Sequence, residues 1–193
     1  MCTKRRKNMK KLAILASGTG TNAERITQYF AEKKTAEVKL IITNKEGAGV
    51  IERAERLNVP CRVVSSKEFK EGKALQVLKE YDVDFIILAG FLLMVPDDIL
   101  HNYPNRIVNI HPSLLPKYGG KGMYGLRVHE AVLASGDTES GITIHHVNEH
   151  YDQGAIILQA KCPVLPDDTP DTLASRVHQL EYEHFPVAIE NLL

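Results

Sequence analysis

Apolar runs alternate along this chain with stretches in which apolar residues recur every three or four positions. Leu12 to Ala16 reads as a buried strand, and Ala23, Ile26 and Phe30 then fall at helical spacing. Val38 to Thr43 is a second strand, followed by a helical stripe of Val50, Ile51, Ala54 and Leu57. Cys61 to Val64 is a third strand. Ser65-x-x-Glu68 then has the spacing of a capping box ahead of a stripe through Leu75 and Leu78. Phe85 to Ala89 and Arg106 to Asn109 supply a fourth and a fifth strand. Continuous apolar strands separated by helices imply a parallel sheet covered on both faces. In such sheets ligands bind beyond the carboxyl ends of the strands. The pattern then changes. Gly141 to Val147 and Ile156 to Val164 are strands joined by the polar turn Asn148 to Gly154, which predicts an antiparallel extension. Thr169-Pro170 starts a last helix with Leu173, Val177 and Leu180 as its stripe. The expected fold is α/β: a Rossmann-like, mostly parallel sheet with helices on both faces and an antiparallel C-terminal extension. No internal repeat or interdomain linker interrupts it, so residues 10–193 read as a single domain.

Composition narrows the function. The 193 residues carry 24 basic and 24 acidic side chains, a balance that argues against nucleic-acid and membrane-surface partners. No apolar run approaches the roughly 20 residues that span a bilayer. Cys2, Cys61 and Cys162 show no paired spacing, which fits reduced thiols in the cytoplasm and neither disulfides nor zinc. His145 and His146 point to opposite faces of a strand and cannot chelate as a pair, so no metal is expected. The one biased segment is the start, where Lys4, Arg5, Arg6, Lys7, Lys10 and Lys11 cluster. Residues 1–9 read as a disordered, solvated basic leader, with Met9 as a second candidate start.

Two segments carry candidate chemistry. Asn109-Ile110-His111-Pro112 follows the fifth strand, and residues two apart on an extended chain share a face. A carboxamide and an imidazole therefore project together, a pair suited to a carbonyl that becomes an oxyanion. A strand end whose Asn and His satisfy turn backbone gives the same spacing. The second segment, Ser17-Gly-Thr-Gly-Thr-Asn22, lies between the first strand and the first helix, where backbone amides and a helix N-terminus favour an anion. A dinucleotide site would also need an acid at the end of the second strand, and Thr43-Asn44-Lys45 stands there. A phosphate monoester fits better, with Thr19, Thr21 and Asn22 as donors. A tight turn without a ligand is the alternative.

With these segments, Leu88-Ala-Gly-Phe91, Asn109-Ile-His-Pro-Ser-Leu-Leu-Pro116, Tyr151-Asp-Gln-Gly154 and Ile157-Leu-Gln159 make a specific set. From about Lys11 to the C-terminus the chain resembles the phosphoribosylglycinamide formyltransferase family, folate-dependent enzymes of purine synthesis. The resemblance implies that the formyl group of 10-formyltetrahydrofolate, the co-substrate, passes to the amine of glycinamide ribonucleotide. The products are formylglycinamide ribonucleotide and tetrahydrofolate. By the same resemblance, Asn109 and protonated His111 match the oxyanion-stabilising groups. Asp152 matches the carboxylate that orients His111 and a proton-relaying water, and a nearby carboxylate raises a histidine's pKa. Thr19, Gly20, Thr21 and Asn22 match the loop for the ribonucleotide phosphate, and His178 and Glu181, on one helix face, match groups reaching the ribonucleotide. Leu92, Leu93, Met94 and Val95 match one wall of the folate pocket. Asn109, Asn148, Glu149, His150, Tyr151 and Asp152 match the rest, and His145 faces Asp152.

Three departures stand out. Leu93 occupies a place where many members have Arg. The family's Arg near the folate tail has no clear counterpart, and Lys70 is the substitute read here. Gly119 to Gly125 is longer than the usual loop and reads as a surface insertion or a mobile flap. The small-molecule substrates are the expected partners of a monomer or weak homodimer. A tRNA formyltransferase would add an RNA-binding domain, and a formyltetrahydrofolate hydrolase a regulatory one. A non-catalytic nucleotide-binding module would leave Asn109, His111 and Asp152 unexplained.

Overall fold

The computed structural model describes residues 9–193, so the expected basic leader lies outside the described residues except for Met9. The chain runs β1(Lys10–Leu15), α1(Thr21–Lys33), β2(Ala36–Thr43), α2(Val50–Arg56), β3(Cys61–Val63), α3(Ser66–Lys70), α4(Lys73–Glu80), β4(Phe85–Leu88), α5(Asp97–Asn102), β5(Ile107–His111), α6(Leu126–Ser135), β6(Glu139–His146), β7(Ile156–Pro163) and α7(Pro170–Leu192). One sheet orders the strands β3-β2-β1-β4-β5-β6-β7. The pairs from β3 to β5 are parallel, and β5–β6 and β6–β7 are antiparallel. The fold class is the one the alternation predicts.

The two faces of the sheet are buried separately. Ile14, Ile41, Ile87, Val108 and Ile144 pack under Ala23, Phe30, Ala54, Val132, Val177 and Phe185 of α1, α2, α6 and α7. Ala13, Leu15, Leu40, Ile42, Ile86 and Leu88 pack under Phe69, Ala74, Leu78 and Ile99 of α3, α4 and α5. Adjacent residues on each central strand thus enter different cores, which is why these strands read as unbroken apolar runs.

Three local features differ from the sequence reading. The helix expected after Ser65 is two helices, interrupted at Glu71 and Gly72. Its capping box is present: Ser65 Oγ accepts from the Glu68 N–H at 3.3 Å and the Glu68 carboxylate accepts from the Ser65 N–H at 2.9 Å. Helices α5 and α6 were not anticipated. A reciprocal cap also starts α7, where Thr169 and Thr172 exchange side chain-to-backbone bonds of 2.9 and 3.3 Å. No helix among the described residues is long and apolar enough to cross a membrane.

Candidate active site

Asn109 and His111 leave the carboxyl half of β5 on one face, and β6 lies beside them in a register that pairs Asn109 with His145 and His111 with Thr143. The His145 ring is fixed from both sides. Its Nδ1 lies 2.8 Å from the His146 carbonyl, which can only accept, so Nδ1 carries the proton. Its Nε2 lies 3.1 Å from Asn109 Nδ2. Asp152 arrives from the turn between β6 and β7. One of its oxygens lies 3.5 Å from Asn109 Nδ2 and 3.6 Å from His145 Nε2. The other lies 3.5 Å from His111 Nδ1 and accepts the Gly120 N–H at 2.8 Å. His111 Nε2 donates to the Tyr118 carbonyl at 2.7 Å. The imidazole is thus gripped between a carbonyl and a carboxylate, and only 4% of the residue is exposed.

Burial and pairing act in opposite senses here. Burial pushes His111 down, the neighbouring Asp152 and the Tyr118 carbonyl push it up, and the balance lies below the ordinary histidine value. The upward shift expected from Asp152 alone is therefore corrected: desolvation outweighs it. Burial acts to raise Asp152, but the His145 and His111 rings and the Gly120 N–H outweigh it and hold the carboxyl below its usual range. The free site is thus biased toward a carboxylate beside a neutral imidazole. Both residues that grip His111 have left-handed backbones, Tyr118 at φ 56° and Asp152 at φ 55°. Such conformations cost about 1–3 kcal/mol each. Tyr118 is held in place by its hydroxyl, 2.5 Å from Ser135 Oγ and donating to Asp137 at 2.8 Å.

The glycine loop lies at the carboxyl end of β1. Gly20 has φ 78°, and a Cβ there would sit 2.4 Å from Val50 Cγ2, so only glycine fits. Helix α1 starts at the next residue, leaving its first N–H groups open to an anion. The Asn22 amide donates to Glu181 at 2.8 Å, and His178 Nδ1 lies 2.8 Å from the same carboxylate oxygen. The hydrogen bond to Glu181 raises His178 above the ordinary histidine value. Asn22 Oδ1 is buried without a hydrogen-bond partner. From outside the loop, the Val50 N–H donates to Gly18 O at 3.1 Å and Arg53 Nε donates to Thr19 O at 2.8 Å.

One cleft of about 670 Å³ joins the two groups. Its wall includes Thr19, Gly20, Thr21, Asn22, Leu92, Asn109, His111, Tyr151, Asp152, His178 and Glu181. It does not include Lys70, Leu93, Met94, Val95, Asn148, Glu149 or His150. Lys70 ends α3 on the exposed surface, and Val95 is core, with Leu93 packed against the same cluster. Met94 is 46% exposed. Asn148 and Glu149 border a separate hollow of about 480 Å³ beside Leu100 and Tyr103, and His150 is on the surface. The Gly120 to Gly125 stretch lies on the cleft wall.

Lys45, Phe91, Met123, Tyr124 and His129 also line the cleft; Phe91 belongs to the Leu88–Phe91 mark and Met123 and Tyr124 to the Gly119–Gly125 stretch, and of the five only His129 lies in no segment singled out from sequence. His129 is 2% exposed with an unpartnered Nδ1. Burial foremost, and then the neighbouring His178, push it down to about 4. The spacing of Val128 and Val132 was the available signal for its helix. Among the described residues no group of three or more His, Cys, Asp or Glu side chains could hold a metal ion.

The formyl transferase family pattern matches residues 10–189. A chloroplastic phosphoribosylglycinamide formyltransferase of Arabidopsis thaliana is 43% identical over 182 residues, covering 91% of this chain and 62% of the plant protein. The trifunctional purine biosynthetic protein adenosine-3 of Drosophila melanogaster is 41% identical, over 95% of this chain and 14% of that protein. The chain thus spans about three fifths of the plant relative and a small part of the fly protein. The crystal structure of phosphoribosylglycinamide formyltransferase from Bacillus halodurans superposes with a TM-score of 0.87 at 39% identity, covering 95% of each chain.

Proposed function

The chain belongs to the formyl transferase family, and from that premise we propose that it moves the formyl group of 10-formyltetrahydrofolate to the amine of glycinamide ribonucleotide. The observation that carries this reading is one cleft walled both by Asn109, His111 and Asp152 and by the Thr19–Asn22 loop. The loop and the open N-terminus of α1 suit a phosphate monoester, and Glu181 with Asn22 suits a ribose. Phe91, Leu92 and Tyr151 give an apolar wall for the folate ring system. The relatives' names point to the same acceptor.

The chemistry follows from the protonation bias. The amine attacks the formyl carbon, a C–N bond forms, and the carbonyl oxygen becomes an oxyanion. The Asn109 amide, whose present partners are His145 and Asp152, supplies an N–H to that oxygen. The attacking nitrogen sheds a proton. His111 accepts it at Nδ1, where Asp152 stabilises the resulting imidazolium. The proton then passes to the departing folate N10 as the original C–N bond breaks. Such general acid–base help is typically worth ~10²- to 10⁴-fold.

The test is a formyl-transfer assay that follows deformylated folate by absorbance, with glycinamide ribonucleotide as acceptor. Turnover dependent on both substrates is the expected result. Consumption of the folate at the same rate without the acceptor would overturn the proposal.

A further inference from the structure

Ser17 does no chemistry in this mechanism, yet it sits where three strand ends meet. It is 2% exposed. Its hydroxyl donates to Asn44 Oδ1 at 2.6 Å, beyond the end of β2, and accepts the Leu92 N–H at 3.0 Å, beyond the end of β4. Its own N–H donates to the Gly90 carbonyl at 3.0 Å. A hydroxyl has one proton, so the order is fixed: Leu92 N–H to Ser17 Oγ, and Ser17 O–H to Asn44. Ser17 is also the residue before the glycine loop. On one side of this relay lies the loop assigned to the ribonucleotide phosphate. On the other lies Leu92, part of the apolar wall assigned to the folate.

We propose that Ser17 is a positioning residue that couples the two substrate subsites through the Leu92–Ser17–Asn44 relay, so that each ligand tightens binding of the other. This rests on the function proposed above. A ligand that orders the glycine loop fixes Ser17, and with it the backbone of Leu92. The converse holds for a ligand that settles against Leu92. Linkage makes the effect equal in both directions. The relay joins two irregular segments, which have no ladder of their own to hold them in register. The adjacent strands are already tied by Ala16 N–H to Ile42 O at 3.0 Å and Ala89 N–H to Leu15 O at 2.9 Å. Loss of the hydroxyl therefore leaves the sheet intact and frees the segments beyond it.

Calorimetric titration of the full chain with glycinamide ribonucleotide, with and without saturating tetrahydrofolate, measures the coupling. The unsubstituted chain is expected to bind the ribonucleotide about 5-fold or more tightly with tetrahydrofolate present, the lower end of typical couplings. Ser17→Ala is expected to bring that ratio below about 2 while still binding each ligand. Asn44→Ala should do the same, and the double variant should lose no more than either single one. Thr27→Ala, which removes a buried hydroxyl bonded only to Ala23 O within its own helix, controls for general destabilisation and should keep the ratio. If Ser17→Ala does not fold, Asn44→Ala carries the test. A ratio near 1 in the unsubstituted chain, or an undiminished ratio in Ser17→Ala or Asn44→Ala, overturns the coupling. Absence of binding by either ligand instead overturns the functional reading beneath it.

Discussion

Asp152→Asn removes one charge from the site while keeping the side chain's shape, and its effect follows from the distances. An imidazolium on His111 would sit 3.5 Å from the Asp152 carboxylate. At an effective dielectric of about 20 the attraction at that distance is about 5 kcal/mol. The amide keeps a dipole and the surroundings relax, so about 2–4 kcal/mol of that stabilisation should be lost. Each 1.36 kcal/mol is tenfold in rate, so kcat should fall about 30- to 1,000-fold. The ribonucleotide KM should stay near its original value, because the phosphate loop is untouched. The His111 limb of the pH–rate profile should also move. Burial already lowers this histidine, and Asp152 leads the opposition ahead of the Tyr118 carbonyl and Glu181, so removing the carboxylate lowers it further. The assay is the folate absorbance change with both substrates saturating, alongside thermal unfolding at neutral pH to show that the fold survives. A kcat within about threefold of the unsubstituted chain would falsify the role given to Asp152.

Other expectations are simpler to state. Asn22→Ala should raise the ribonucleotide KM about 10- to 100-fold with kcat nearly unchanged, since a hydrogen bond to a charged group is worth about 1.5–3 kcal/mol; an unmoved KM counts against the phosphate loop. Acid should weaken the fold through His129, which is held at about 4 against 6.5 unfolded. The unfolded state binds the extra proton, so stability should drop by up to about 3 kcal/mol as pH falls from about 6.5 to 4. Denaturant titrations should show that slope shrinking in His129→Asn, and an equal slope in both proteins refutes the assignment. At Gly154 an added Cβ would lie 1.7 Å from the His146 carbonyl oxygen, so Gly154→Ala must displace the turn that carries Asp152. Its kcat should fall, and with little further loss when combined with Asp152→Asn; fully multiplicative losses would separate the two. Thr169→Ala should cost about 1 kcal/mol of stability through its cap and leave kcat unchanged, as chemical denaturation and the same assay would report.

The regular parts of this molecule were legible because periodicity encodes which way a side chain points. Alternation placed Asn109 and His111 on one face of β5, and both lie 3.5 Å from Asp152. The irregular parts were not. Leu92 to Val95 looks uniform as a sequence, yet Leu92 lines the cleft, Val95 enters the core and Met94 meets solvent. A segment outside helix and strand has no period from which to assign these fates. Helix α5 is six residues long with one buried side chain, Ile99, too little for a stripe. Helix α6 begins directly after a glycine-rich stretch whose composition reads as loop, which hid His129. The downward shift of His111 was out of reach for another reason. The carboxylate that raises it belongs to a motif, whereas the burial that lowers it comes from packing no single motif records.

The reversal of direction at β6 explains how residues so far apart in sequence meet. A sixth strand parallel to β5 would begin at the amino end of β5, and only its following loop would come to the active end. Strand β6 instead enters beside His111, where Thr143 pairs with it, and leaves beside Val108. The loop after β5 and the turn after β6 therefore approach the same stretch of β5 from opposite ends. The first brings the Gly120 N–H, the second brings Asp152, and the two join at 2.8 Å. The result is an arch over Asn109 and His111 that neither segment could build alone. The parallel half of the sheet supplies what its carboxyl ends usually supply, a helix N-terminus for an anion. The antiparallel half adds the acid and the second histidine. Asp152 meets His111 because the turn after β6, which leaves the sheet beside Val108, folds back over the strand that carries the imidazole.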